Sequence, residues 1–406
     1  MTEILLSVTI IAALVLALTL GLLAARRRLI PQEAAIVTVN ETTRIEAARG
    51  QKLLEVLHDA GLAIPAACGG AGTCGLCRVT ATGEGAGQVQ ATERGMLSAH
   101  ERRAHIRLAC QVTLRGSCAV EVAGDTLAAE TITCRVASNR MLAPLIRELV
   151  IELPEGVSID FRAGGFMQLS APAYRIDFAQ MDIAPEFRAE WDQAGWSAMR
   201  TRSAAPVTRA YSIASRPADQ GVVVFNIRLA VPPAGQEDEI PPGRVSSYLF
   251  ALKPGDMVEA SGPFGEFHVQ PTEREMVFIG GGVGMAPLRA MIHEQIGQGT
   301  DRKITYFYGA RSAGDLFYTD EFEQMARDNP NFRFIPALTD PAPGDRWTGP
   351  VGFIHETVRR TMQDHPAPED CEYYLCGPPV MISAVLATLA RLGVEPHSIF
   401  NDDFGA

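Results

Sequence analysis

At 406 residues, 47% hydrophobic and 20% charged, the chain has an ordinary globular balance, with room for roughly two to four domains, and is not a disordered protein. Its net charge of −11 excludes a nucleic-acid partner, because holding a phosphate backbone takes a basic surface and the release of counterions. The eight cysteines are not spaced like a disulfide framework; Cys68, Cys74 and Cys77 crowd into ten residues, a metal-like spacing that favours a reducing compartment.

Residues 4–25 read ILLSVTIIAALVLALTLGLLAA, without a charge or a polar face. A helix of that length, at about 1.5 Å per residue, crosses roughly 30 Å of hydrocarbon, so the run predicts one transmembrane helix. A secretory signal would carry a basic leader and a shorter apolar stretch, and here only Met-Thr-Glu precedes the run. Arg26, Arg27 and Arg28 follow directly, and positive charge on that side places the remainder in the cytoplasm. The span holds no acidic or basic residue that could line an ion path.

From Ala34 the pattern changes. IVTVN alternates like a strand, residues 52–60 read as a short helix, and AACGGAGTCGLCRV begins at Ala66. Cys68, Cys74 and Cys77 stand at Cys-x5-Cys-x2-Cys spacing, and Cys110 arrives later in RLACQVTL. Four thiolates hold either zinc or an iron–sulfur cluster, so ligand count leaves both open. Gly69, Gly70, Ala71, Gly72 and Gly75 strip bulk from the loop and let backbone N–H groups reach sulfur, which favours a [2Fe–2S] cluster. The second Cys-x2-Cys hook of a common zinc knuckle is missing. The run resembles plant-type ferredoxins, with one residue added in the first gap, and implies a ferredoxin-like β-grasp domain over residues 33–126. Cys118, Cys134 and Cys371 show no partner pattern and read as small buried hydrophobes.

Residues 130–270 carry many short β-like runs broken by Gly and Pro, as in a small barrel. Arg209-Ala-Tyr211-Ser212 within it resembles the Arg-x-Tyr-Ser motif of the ferredoxin–NADP reductase superfamily. That resemblance implies FAD, with Arg209 on its pyrophosphate, Tyr211 against the isoalloxazine and Ser212 near the reactive ring nitrogen. An arginine fork suits a diphosphate, and an aromatic face suits a flat, electron-poor ring. Gly243-Arg-Val-Ser246 follows, where the family brings the Ser246 hydroxyl and backbone N–H groups to the phosphates; Gly262-Pro-Phe264-Gly265 closes the barrel. An insertion at about residues 171–206 contains Trp191 and Trp196 among mixed charges. It reads equally as a solvated loop with a short helix or as a docking surface.

Residues 273–406 alternate strand and helix, the pattern of a parallel α/β domain. The first strand runs into Gly280-Gly281-Gly282-Val283-Gly284-Met285-Ala286-Pro287, where glycines let a pyrophosphate approach a helix N-terminus. Pro287 replaces the third glycine of a strict dinucleotide fingerprint, which matches the superfamily's version of the loop. Tyr374-Leu375-Cys376-Gly377-Pro378-Pro379-Val380-Met381 resembles the superfamily's CGPPxM run, which implies that Cys376, Gly377 and Pro378 border the nicotinamide. In relatives a terminal aromatic covers the flavin, and Phe404 is the candidate for that gate. Arg311 either serves a 2′-phosphate pocket or is a strand-end arginine, so NADH over NADPH rests on the resemblance alone.

The order is therefore residues 1–28 as anchor with basic flank, a β-grasp domain, a flavin-binding β-barrel and a nucleotide-binding parallel domain, an α+β and α/β multidomain chain. With the Cys-x5-Cys spacing, the insertion and the tail NDDFGA, the whole resembles the F subunits of bacterial sodium-translocating NADH:quinone reductases. That family implies hydride from NADH to FAD, single electrons onward to [2Fe–2S], other membrane subunits as partners, ubiquinone as final acceptor, and a single-pass location in the bacterial inner membrane. The nearest alternative is the reductase component of a multicomponent oxygenase, against which the span argues; a membrane-tethered ferredoxin carrier would not need Arg209, Ser246, Gly282 and Cys376.

Overall fold

A computed structural model describes residues 12–19, 21, 34–66, 68–122, 131–237, 239–342 and 344–403. The predicted span lies mostly outside them. Residues 12–19 are helical with Leu14, Val15, Leu16 and Leu18 all exposed, and among the described residues no helix is long and apolar enough to cross a membrane.

The chain forms two compact units, residues 1–61 with 77–123, and residues 62–76 with 124–406. In the first, β1 (Ala35–Val39), β2 (Thr43–Ala47), β3 (Arg78–Thr82), β4 (Ile106–Leu108) and β5 (Cys118–Glu121) make a sheet of order β2-β1-β5-β3-β4. β1 and β5 are parallel and the other neighbours antiparallel. Alternation in β1 buries Ala35, Val37 and Val39 on one face. The helix Leu53–Asp59 buries Leu53, Leu54, Val56 and Leu57. This is the expected β-grasp, with one difference: residues 62–76, which carry Cys68 and Cys74, group with the second unit. Within that unit Gln168 Nε2 donates to the Ile64 carbonyl at 3.3 Å, a long-range bond that no local pattern announces.

In the second unit β6 (Thr131–Ala143), β7 (Ile146–Glu152), β8 (Phe166–Ala171), β9 (Tyr174–Asp177), β10 (Arg200–Ser203), β11 (Val207–Ser212), β12 (Val222–Arg228) and β13 (Met257–Phe264) precede the nucleotide sheet. The six-stranded order β11-β8-β13-β6-β7-β12 closes on itself through a bridge between Ile213 and Phe225. Closure removes the sheet's free edges and surrounds a core that includes Val136, Leu149, Ile151, Met167 and Leu169.

β9 and β10 pair as a separate hairpin that belongs to the insertion, together with the helix Pro185–Gln193. Its interior corrects the solvated-loop reading. Trp191 is fully buried among Phe178, Met181, Ile183, Leu229 and Phe250, and its Nε1 donates to the Pro144 carbonyl at 2.6 Å. The indole joins an apolar body to one satisfied donor, so the insertion is a packed annex of the barrel.

β14 (Met276–Gly281), β15 (Ile304–Ala310), β16 (Phe332–Leu338), β17 (Glu372–Gly377) and β18 (Ile399–Asp403) form an all-parallel sheet of order β16-β15-β14-β17-β18. Every residue of β14 is buried, because the sheet is covered on both faces. Phe278 faces the helix Met285–Gly297, while Val277 and Ile279 face the helices Ile354–Met362 and Pro379–Arg391.

One polar network joins barrel and nucleotide sheet inside this unit. Arg289 lies 4.6 Å over the Tyr318 ring and donates to the Ala214 carbonyl at 2.8 Å, while the Tyr318 hydroxyl meets Glu148 and accepts from Asn226 Nδ2 at 3.0 Å. Glu321 accepts from Arg289 at 2.7 Å and meets His293 Nε2. Burial pushes the Glu321 carboxyl up, but hydrogen bonds from His293 and Arg289 prevail and hold it at about 2, below the ordinary 4.5. A depressed carboxylate stabilises the fold above its unfolded pKa, and that stability is lost as pH falls from 4.5 toward about 2. Glu321→Gln is therefore expected to flatten the acid limb of unfolding free energy over that window by about 2 kcal/mol, measured by urea titration against pH.

Candidate functional site

In a doubly wound sheet, ligands bind at the carboxyl ends of the strands where the strand order reverses. Here that point lies between β14 and β17, and both end in glycine: Gly281 on one, Gly377 on the other. Beside it opens a cavity of about 1180 Å³ lined by Arg209, Tyr211 and Ser212 of the barrel, by Gly281, Gly282, Gly377 and Pro378, and by Asp402. The roughly 300–1,000 Å³ of an ordinary ligand pocket is exceeded, which leaves room for a flavin with a nicotinamide nucleotide alongside.

The expected glycines divide into two kinds. A Cβ on Gly284 would stand 2.0 Å from the Cys376 carbonyl oxygen, one on Gly281 2.8 Å from Met381 Sδ, and one on Gly280 3.0 Å from Leu288 and the Tyr306 hydroxyl. Gly284 lets the helix Met285–Gly297 begin hard against β17, Gly281 leaves room for Met381, and Gly280 leaves room for Leu288 and Tyr306. Gly282 differs: its φ is +56° and a Cβ there meets nothing within 4 Å, so it borders open cavity in a left-handed conformation. Such a turn at a helix start has the open backbone that a pyrophosphate would need.

Arg209 sits on β11 opposite Leu169, and its Nη1 donates to the Thr208 carbonyl at 2.8 Å. Burial lowers its pKa, though an arginine stays charged. Burial likewise pushes the Tyr211 hydroxyl up. The helix Arg244–Ala251 begins at Gly243 without a side-chain cap, and Gly243, Arg244, Val245 and Ser246 line the cavity there. The Ser246 hydroxyl is engaged elsewhere: it accepts from Ala230 N and donates to the Gly243 carbonyl, both at 3.2 Å. It braces the turn.

Cys376 is fully buried in the core of the nucleotide sheet, in register with Gly280 on one side and Asp402 on the other. Gly377, Pro378 and Met381 reach the cavity in its place. Asp402 is a residue that motif reading missed. Ser212 Oγ donates to its Oδ2 at 3.4 Å, so the barrel hydroxyl and the tail carboxylate meet at the wall of the cavity. The signal was present in NDDFGA, where Asp402 precedes Phe404 by two residues; Phe404 itself lies outside the described residues.

The cysteines fall on both sides of the division between units. Cys68 and Cys74, in the loop that groups with the barrel, have their sulfurs 3.3 Å apart. The hydrogen bond from Cys74 and backbone N–H groups of Cys74, Thr73 and Gly72 pull the Cys68 thiol down to about 3, and Cys74, sharing that proton, is raised. Positive φ at Gly69, Gly70, Gly72 and Gly75 is what turns the loop so that its amides face sulfur. Such donors suit thiolates that carry a cluster. Cys77 and Cys110 lie buried in the β-grasp unit. The strand before Cys110 is fixed by Arg107, whose guanidinium meets the buried Glu93 at 2.9 Å and donates to the Ala86, Gly87 and Gln88 carbonyls. Cys118, Cys134 and Cys371 are buried, and burial raises the pKa of each, as for inert core thiols.

Comparison with known proteins finds three successive domain matches, the first of which keeps Cys68, Cys74, Cys77 and Cys110 together. A 2Fe-2S iron-sulfur cluster binding domain matches residues 37–115, an oxidoreductase FAD-binding domain residues 197–269, and an oxidoreductase NAD-binding domain residues 278–386. A cytochrome P450 reductase from Amycolatopsis shares the fold at 27% identity and a TM-score of 0.60, over 91% of this chain and 98% of that one. The ferredoxin reductase of carbazole 1,9a-dioxygenase does so at 24% and 0.60, over 92% and 98%. Fold and site thus define a ferredoxin-reductase-type oxidoreductase that uses FAD, a [2Fe–2S] cluster and NAD.

Full-length relatives are closer in sequence. The F subunit of the Na(+)-translocating NADH-quinone reductase of Methylococcus capsulatus is 44% identical over 100% of both chains, and that of Marinomonas sp. 44% identical over 99% of both. The chain belongs to the family of F subunits of Na(+)-translocating NADH-quinone reductase.

Proposed function

We propose that this chain is the NADH-oxidising input component of a sodium-translocating NADH:quinone oxidoreductase. The observation that carries the reading is a cavity in which a flavin-type barrel wall, Arg209, Tyr211 and Ser212, faces a nucleotide switch point, Gly281, Gly282 and Gly377. Only an enzyme that moves hydride between the two ligands needs both walls on one space. FAD accepts two electrons together and releases them singly, and a [2Fe–2S] cluster takes one at a time. Around them Arg209 and the N–H groups after Gly243 hold the diphosphate, Tyr211 covers the ring, Gly282 admits the dinucleotide, and Gly377 with Pro378 borders the nicotinamide. Cys376 orders that strand end from behind. Ser212 and Asp402 hold a proton at the Ser212 Oγ.

Cys68, Cys74, Cys77 and Cys110 ligate the cluster, and residues 4–25 anchor the chain in the bacterial inner membrane with Arg26, Arg27 and Arg28 on the cytoplasmic side. From the cluster, electrons pass to other membrane subunits and on to ubiquinone. Detergent-purified full-length protein is expected to be yellow-brown and to be bleached by NADH; colourless protein, or colour that NADH leaves intact, would overturn the reading. The likeness to two oxygenase-type reductases keeps a second acceptor in view. Membranes from a strain lacking the chain decide between them: loss of sodium-stimulated quinone reduction supports the proposal, and loss of an aromatic hydroxylation alone supports the oxygenase.

A further inference from the structure

At the carboxyl end of the second strand of such a sheet, the adenosine ribose of a dinucleotide meets either a carboxylate that accepts from its 2′-hydroxyl or a cation that receives a 2′-phosphate. After β15 this chain places Arg311 and Ser312, a cation and a hydroxyl that would suit a phosphate. Both are engaged. Ser312 donates to Asp315 Oδ2 from its backbone N–H at 3.0 Å and from Oγ at 2.8 Å, closing a capping box. Arg311, 69% exposed, has its Nη2 3.7 Å from Glu190 Oε1. Glu190 does not come from the nucleotide domain. It stands on the helix Pro185–Gln193 of the insertion, one residue before the fully buried Trp191 that pins that helix to the barrel.

Glu190, Arg311 and Asp315 line the same cavity as Gly281 and Gly282. Burial raises the Glu190 pKa, the Asp315 carboxylate raises it further and Arg311 lowers it, so the three charges share one locality. We infer that Glu190 is the residue that sets selectivity against 2′-phosphorylated nucleotides: by holding Arg311 in an ion pair it withdraws the cation at the end of β15 that a 2′-phosphate would use, and with Asp315 it presents carboxylates in its place. A free 2′-hydroxyl loses nothing, since it donates to carboxylates. The insertion thus has a role that its sequence did not reveal, reaching from the barrel over the nucleotide site. This rests on the proposed NADH oxidation and specifies the selectivity of that site.

The test uses full-length protein loaded with FAD. Glu190→Gln is expected to tighten NADP+ relative to NAD+ about tenfold by titration calorimetry and to raise the NADPH:NADH ratio of kcat/KM about as much, an effect that shrinks with added salt. Adding Arg311→Ala to Glu190→Gln is expected to cancel most of that gain. An unmoved NADP+ to NAD+ ratio in Glu190→Gln protein that keeps its flavin and melting temperature overturns the inference, as does a full gain that survives without Arg311. If neither nucleotide bleaches the wild-type flavin, the proposed function falls instead.

Discussion

Full-length protein carrying Arg209→Ala is expected to be purified with its cluster and without its flavin. Arg209 projects from β11 beside Tyr211 and Ser212, and its guanidinium lies so close to Gly69 that a Cβ there would stand 1.8 Å from Nη1. The arginine is therefore held in place by a surface that only glycine, at φ +61°, provides. A fork donating to a diphosphate makes two charge-assisted hydrogen bonds worth about 1.5–3 kcal/mol each. Their loss weakens FAD by about 10²- to 10⁴-fold, enough to strip it during purification. Flavin absorbance per chain, followed by titration with added FAD, measures this. Arg209→Lys keeps the charge and loses the fork, and falls between the two. Stoichiometric FAD in the alanine variant would remove Arg209 from the phosphate site.

What could be read from sequence tracks how local each determinant is. The candidate parts of the site are written in short runs: Cys68 to Cys77, Arg209-x-Tyr211-Ser212 on β11, and the Gly280 to Gly284 turn at the end of β14. A turn that needs positive φ or a helix start that tolerates no Cβ writes glycine into the chain directly. Contacts between distant segments leave no such mark. Nothing near Glu190 announces Arg311, 121 residues later, and nothing near Ser212 announces Asp402, 190 residues on. Ser246 departs from expectation for a related reason: a serine after Gly-Arg-Val is compatible with phosphate binding, and only the fold reveals that Ala230 and Gly243 already claim its hydroxyl. The insertion's mixed charge concealed the burial of Trp191, because a helix of nine residues needs only a single buried anchor to be fixed.

Cys68→Ala tests how far the redox modules are separable. The substitution is expected to abolish the reduced-cluster signal in electron paramagnetic resonance and all electron delivery to quinone in membranes, while NADH still bleaches the flavin at a rate within about threefold of wild type. The expectation follows from where the groups stand: Arg209, Ser212, Gly282 and Gly377 line the cavity proposed for flavin and nucleotide, and Cys68 acts on them only as the smallest of the influences on the Arg209 charge, after burial, Tyr211 and Arg244. Yet Cys68 and Leu76 line the same cavity, and the loop that bears them packs with the barrel through Ile64 and Gly69. A loop so placed would serve two purposes under the proposed function, offering sulfur to the cluster and a floor to Arg209. Alanine removes the first and, lacking bulk, spares the second. Gly69→Ala does the reverse, leaving every cysteine in place while displacing Arg209, so it is expected to cost flavin before cluster. Loss of flavin bleaching in Cys68→Ala would mean that the loop folds only around its cluster, making the iron–sulfur centre a structural part of the flavin site.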